Sequence, residues 1–484
     1  MKKVLLLVGI LSIGLYANYQ VEAKEENEQV TVLKDIEEND GEASGEIKQE
    51  DSVSKQRGLA RAAATRTIDI KRFYIEVTDG AANSDSVPIT NSKFTVSYVH
   101  NNRSNVLYEG MTNEKGEILN LPTKEIPFEV KSLNIRFTLG NDERGYVQRF
   151  NKNPYRFTFT IGFNMDATAN TINFGNRNVK FGNTADPESP FYNFQAIRMN
   201  HYFDQAVQEY SNAVKMANDL LPETVPFTLE PINFFFEKGQ YLEGKNRFYS
   251  KGHDSSGTST IVLGDKSNKK FTTNYLKRNV MHEWTHWNMG RTIGLTKGGY
   301  NGHYGYNSNP QTSFKEGWAL FVDEVFGKNY NLDRYDLLVQ NDNSNGVNRL
   351  YGKSTNLTVQ HVLYDLLDTG SKDEEFNVSE RYQDEELSDL EIRRLNLGIM
   401  HTLMVESKAT TLQEYLNYVE SKYVLTKADK AKFAKVLEAN GLSREGAFTL
   451  DNEGNALSTP LQANEKTSLD VNVIDEVADY YFED

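Results

Sequence analysis

Cysteine is absent from all 484 residues. That excludes disulfides, a thiolate metal site and a lipid-modified cysteine. Positive charge is in deficit, with 53 Lys and Arg against 68 Asp and Glu, a net charge of −15. A chain of that sign is a poor partner for nucleic acid or for an anionic membrane surface. Beyond the N-terminus no apolar run is long enough to span a bilayer. The chain also lacks a glycine-rich phosphate loop, a serine-nucleophile elbow and a repeat array. Histidine is scarce, with 8 in the chain.

What is present begins with an export signal. Lys2 and Lys3 precede an apolar stretch from Val4 to Ala17, and Val21-Glu22-Ala23 fits cleavage after Ala23, with Ala17 as a second site. Residues 1–23 are therefore expected to be a signal peptide, and the protein to be secreted without a stable membrane anchor. Residues 24–67 read as an acidic disordered segment or pro-segment. Lys24 to Arg57 holds 11 acidic and 5 basic residues, and no aromatic follows until Phe73. Residues 68–176 read as all-β, from alternating runs at Lys71–Val77, Lys93–Val99, Ser132–Leu139 and Arg156–Phe163. A strand ending near Met111, the turn Asn113–Gly116 and a strand leaving it resemble a strand pair of prealbumin-like and Cna-B-like sandwich domains. Residues 190–327 are expected to form an α+β subdomain, residues 328–440 a helical lobe and residues 441–484 an acidic tail. Asn341–Gly346 looks like half of a calcium loop, but the twelfth position is Gly352 where Glu is needed, so it reads as a turn.

The chemistry is concentrated at His282-Glu283-Trp284-Thr285-His286. On a helix, positions i and i+4 share a face, so both imidazoles reach one metal ion. Glu283 stands one residue round and can act as general base on a water at the metal. Thr272 to Met289 reads as a helix stopped by Gly290. A second helix, Ser313 to Phe326, offers Glu316 as third ligand. Ser313 is also a candidate N-cap, which leaves a local alternative: Glu316 as its capping-box partner. His303 and Asp323 are the other nearby ligand candidates. Two His, one Glu and an open fourth position describe a catalytic zinc rather than a structural one.

The motif HEWTH followed by KEGWA resembles the gluzincin superfamily of zinc metallopeptidases, the thermolysin and aminopeptidase group. The resemblance implies His282, His286 and Glu316 as ligands of Zn2+ and Glu283 as the catalytic base. It also implies a zincin-type catalytic domain behind the β-sandwich. A metzincin is excluded, because Met289 and Thr292 stand where that family needs Gly and His. One departure from thermolysin-like members is Leu320, where they carry an Asp that supports a ligand His. Asp323, on the same helical face as Glu316, is the candidate replacement, with a surface carboxylate as the alternative. In gluzincins an edge strand before the metal helix pairs with the substrate backbone, and Thr258–Leu263 stands at that place in the chain order. The oxyanion donor is left open among His303, Tyr304, Tyr306, His361 and Tyr364.

The expected activity is hydrolysis of peptide bonds in a protein or peptide substrate. Two alternatives remain: an aminopeptidase on the same scaffold, and a surface-binding protein whose zinc site has lost activity.

Overall fold

The computed structural model describes residues 65–78, 86–148, 153–162, 171–182, 192–221, 227–236, 249–251, 260–263, 273–295, 306–327, 352–368, 376–378 and 387–461. The expected signal peptide, nearly all of the acidic segment, the loop with His303 and Tyr304, and the Asn341–Gly346 turn lie outside the described residues. The chain divides into two compact units.

The first unit takes residues up to 88, 93–137 and 156–186. Its strands form two sheets. In one, β1 (Thr65–Thr78) runs parallel to β11 (Thr171–Gly182) and antiparallel to β2 (Val87–Pro88), β5 (Glu117–Leu119) and β6 (Lys124–Pro127). The other has the order β10 (Arg156–Gly162), β7 (Ser132–Thr138), β3 (Lys93–His100), β4 (Arg103–Met111). Period-two alternation gives each strand one apolar side. β7 buries Leu133, Ile135 and Phe137, while β1 buries Ile68 and Ile70 and then Phe73 and Ile75. The change of parity within β1 follows from an irregular register between Ile70 and Arg72, where an extra residue resets which side faces inward.

Asn101 and Asn102, both at positive φ (51° and 60°), close the β3–β4 hairpin. The turn at Asn113–Gly116 forms as read: Gly116 sits at φ 76° and donates to the Asn113 carbonyl at 2.9 Å. Its strands do not pair with each other, however. β4 pairs with β3, and β5 pairs with β1, so the turn carries the chain from one sheet to the other.

The second unit takes residues 89–92, 138–155 and everything from 187 onward. The expected domain spanning 68–176 therefore needs correction, because two of its stretches build the other unit. β8 (Gly140–Asn141) and β9 (Gly145–Gln148) complete a five-stranded sheet with β12 (Asn233–Phe236), β14 (Thr260–Leu263) and β13 (Tyr249–Lys251). β9, β12 and β14 run parallel, and β13 is antiparallel on the outside of β14. β14 is therefore flanked on both sides. The place expected for a free edge at Thr258–Leu263 belongs instead to β13. Val147 is buried in β9, and Thr90 and Arg144 both engage Asp204, so these stretches are fastened at several points.

Seven helices complete this unit among the described residues: α1 (Tyr192–Leu220), α2 (Thr273–Ile293), α3 (Pro310–Gly327), α4 (Asn356–Leu367), α5 (Asp389–Ser407), α6 (Leu412–Tyr423) and α7 (Lys427–Ala439). Their starts are written locally. Thr355, Ser388, Thr411 and Thr426 each cap an N-terminus, and Ser388 with Glu391 and Thr426 with Asp429 close capping boxes. α2 runs through Gly290, the expected stop, and ends before Gly294, which adopts φ 75°.

The expected helical lobe is not separate. α4 packs on α3 and α5 on α1 within the one unit. Residues 441–461, read as part of an acidic tail, fold back as well. Thr449 and Leu450 donate to the Gly352 carbonyl at 2.8 and 2.9 Å. Trp284, Trp287, Trp318, Tyr210 and Tyr415 are fully buried and fix α2 and α3 in the core. Among the described residues no helix is long and apolar enough to cross a membrane.

Candidate metal centre

α2 and α3 pack side by side and carry every residue of the centre. The i, i+4 spacing on α2 puts the His282 and His286 rings 4.6 Å apart, nearly perpendicular. Their Nε2 atoms face each other at 3.1 Å. From α3, Glu316 Oε2 lies 3.0 Å from His286 Nε2 and 3.5 Å from His282 Nε2. Three donor atoms thus surround one point. Tetrahedral zinc with bonds near 2.0–2.1 Å sets its ligand atoms about 3.3 Å apart, and these three separations bracket that value. His282, His286 and Glu316 form a group able to hold a metal ion.

The local alternative for Glu316 does not fit. α3 starts at Pro310, three residues before Ser313. Asn309 serves as the cap, its side-chain oxygen accepting from the Gln311 N–H at 3.0 Å. Ser313 is buried inside the helix and bonds Ser354 and Asn307 at 2.9 and 3.0 Å. Ser313 is therefore not the cap of α3, and Glu316 turns to the histidines.

Asp323 is a buried residue, not a surface carboxylate. Its Oδ2 lies 3.1 Å from His282 Nδ1. A carboxylate there holds the proton on Nδ1 and leaves Nε2 as the donor atom. Seven residues separate Asp323 from Glu316, two helical turns, so both project from one face of α3. His286 Nδ1 is buried with no hydrogen-bond partner among the described residues.

The electrostatics of the centre follow from burial. Burial pushes the Glu283 carboxyl up to about 7, against the nearby His282. Burial also lowers the His286 imidazole, to about 4. Burial acts downward on His282 too, but the hydrogen bonds it gives to Asp323 and Glu316 overcome it and lift that imidazole to about 10. Four buried carboxylates, Glu283, Glu316, Asp323 and Glu324, stand against the guanidinium of Arg278 and the ammonium of Lys315, which is 3.8 Å from Glu316 Oε1.

Of the oxyanion candidates, His303 and Tyr304 lie outside the described residues. His361 and Tyr364 are core positions, 2% and 1% exposed, and the Tyr364 hydroxyl accepts from Gln360 at 3.0 Å. Tyr306 is half-buried and bridges to Thr355 through its backbone. Sequence reasoning missed Arg278, which lies one turn before His282. Its fork reaches Asp323 through Nε and Nη2, both at 3.0 Å, and also Glu324. The only signal available was the i, i+4 spacing from Arg278 to His282.

No protein-family model matches the chain, and no curated protein matches it. Among solved structures, a 9R-lipoxygenase from Cyanothece aligns over 88% of this chain and 77% of that one, at 9% identity and a TM-score of 0.14. A likeness of that size sets neither fold nor function.

Proposed function

We propose that this protein is a secreted zinc metallopeptidase that hydrolyses peptide bonds in protein substrates. Its second unit would be a zincin-type catalytic domain, and its first a β-sandwich. The observation that carries the reading is the convergence of His282 Nε2, His286 Nε2 and Glu316 Oε2, with Glu283 buried beside them. Two imidazoles and one carboxylate are the donor set of hydrolytic zinc. His282, His286 and Glu316 would hold the ion. Bound there, zinc supplies a Lewis acid for the scissile carbonyl and lowers the pKa of water towards about 7.

The remaining work falls to the chain's own groups. Glu283 takes a proton from the attacking water and later delivers it to the leaving amine. A carboxyl shifted towards neutrality by burial suits a group that must accept and then donate. Asp323 keeps His282 in the tautomer that presents Nε2. Among the described strands β13 stands at the sheet's outer edge, antiparallel to β14, the place where an extended peptide would join.

The test is zinc content measured together with cleavage of a denatured protein, with and without a chelator. One equivalent of zinc and chelator-sensitive cleavage support the reading. A protein that takes up no divalent metal overturns it.

A further inference from the structure

We propose that Arg278 is a positioning residue for the metal centre: it holds Asp323 so that one carboxylate oxygen is reserved for His282. The inference rests on the zinc reading above. Arg278 is one helical turn before His282 on α2. It is 5% exposed, and its Nε and Nη2 both contact Asp323 Oδ1 at 3.0 Å. Nη2 also meets Glu324 Oε1. Asp323 Oδ2 is left facing His282 Nδ1 at 3.1 Å. Each oxygen of Asp323 therefore has its own partner, and the carboxylate cannot rotate without breaking both contacts.

Two physical requirements meet at this side chain. The first is charge compensation: a buried carboxylate is costly without a cation beside it, and Arg278 supplies one. Orientation is the second. A planar fork anchored on both Asp323 and Glu324 fixes the carboxylate plane, whereas an ammonium gives a point charge without that plane. The next residue, Glu324, gives the fork its second anchor, so adjacent carboxylates on α3 are gripped by one group on α2. This also accounts for Asp323 serving His282 from seven residues beyond Glu316. The arginine fixes that reach.

The experiment is a double-mutant cycle read as zinc affinity by competition with a chromophoric chelator. The wild type is measured first, and its failure to bind zinc would sink the zinc reading rather than this inference. Asp323→Asn and Arg278→Gln are each expected to weaken zinc binding by roughly ten- to a hundredfold, as for other groups that support a metal ligand. The double variant should bind no more weakly than Asp323→Asn alone, because Arg278 acts through Asp323. Arg278→Lys guards against misfolding of the glutamine variant. It keeps the buried cation, and an intermediate loss with a cobalt(II) spectrum altered from wild type is expected. Wild-type zinc affinity in Arg278→Lys, or additive losses in the double variant, would overturn the proposal.

Discussion

Gly317 of α3 and Val359 of α4 are in such close approach that a β-carbon on the glycine would stand 2.5 Å from Val359 Cβ and 2.6 Å from the Asn356 carbonyl oxygen. The glycine next to Glu316 is therefore a packing requirement, and the α3–α4 crossing fixes the height at which Glu316 meets the histidines. Gly317→Ala must push the two helices apart. Overpacking of this kind costs about 1–3 kcal/mol. Thermal unfolding of the metal-free protein should show a lower Tm, with weaker zinc binding alongside. An unchanged Tm would mean the crossing adjusts freely.

Glu283→Gln removes the base but none of the ligands. Hydrolysis should fall by about 10²–10⁴, the span expected for losing a general base. Zinc measured by elemental analysis should stay at the wild-type level. Retention of full activity would remove Glu283 from its proposed role.

His286→Ala deletes a donor that lies within 3.1 Å of His282 Nε2 and 3.0 Å of Glu316 Oε2. Metal and activity should disappear together, and the metal-free fold should survive. Full metal occupancy in this variant would refute the ligand assignment.

His401, which is not among the proposed ligands, carries a pH prediction. Burial holds its imidazole near 3, below the ordinary 6.5, with Arg291 adding to the effect. A depressed histidine stays neutral in the fold while the unfolded chain takes up a proton below pH 6.5. Its contribution is therefore complete above pH 6.5 and is lost as pH falls from there towards 3. His401 Nδ1 bonds the Tyr210 hydroxyl at 2.7 Å, a contact that His401→Asn can imitate. Urea unfolding at pH 7.5, 6.5 and 5.5 (~one-unit steps across the titration range) should show a flatter stability loss in the variant than in the wild type. Parallel slopes would dismiss the histidine as the cause.

A protease site inserted at Pro187 tests how the chain is shared between units. Residues 138–155 belong to the second unit, where β9 pairs with β12 at Val147–Phe234 and Gln148–Phe235. After cutting, the N-terminal fragment should co-elute with the rest on gel filtration. Separation under native conditions would show that β8 and β9 are dispensable. For the same reason, removing residues 65–186 as a cleavable pro-domain should unfold the second unit's sheet edge, and not simply release the site.

The sequence by itself determined what is local. Helix spans followed from 3.6-residue periodicity, so α2 and α3 came within about four residues of their observed ends. The pairing of His282 with His286 followed from the pitch of one helix. Tertiary structure decided everything that joins distant parts of the chain. Only it separated Glu316 the ligand candidate from Glu316 the capping partner, because that choice turns on where α3 begins and what lies opposite. Only it brought Asp323 and Arg278 together across 45 residues, put β13 outside β14, and lent β8 and β9 to a sheet whose other strands come much later. Periodicity shows which side of an element is apolar but not which element will cover it. Partners across a long loop are chosen by packing and charge compensation, which come into being only when the chain closes.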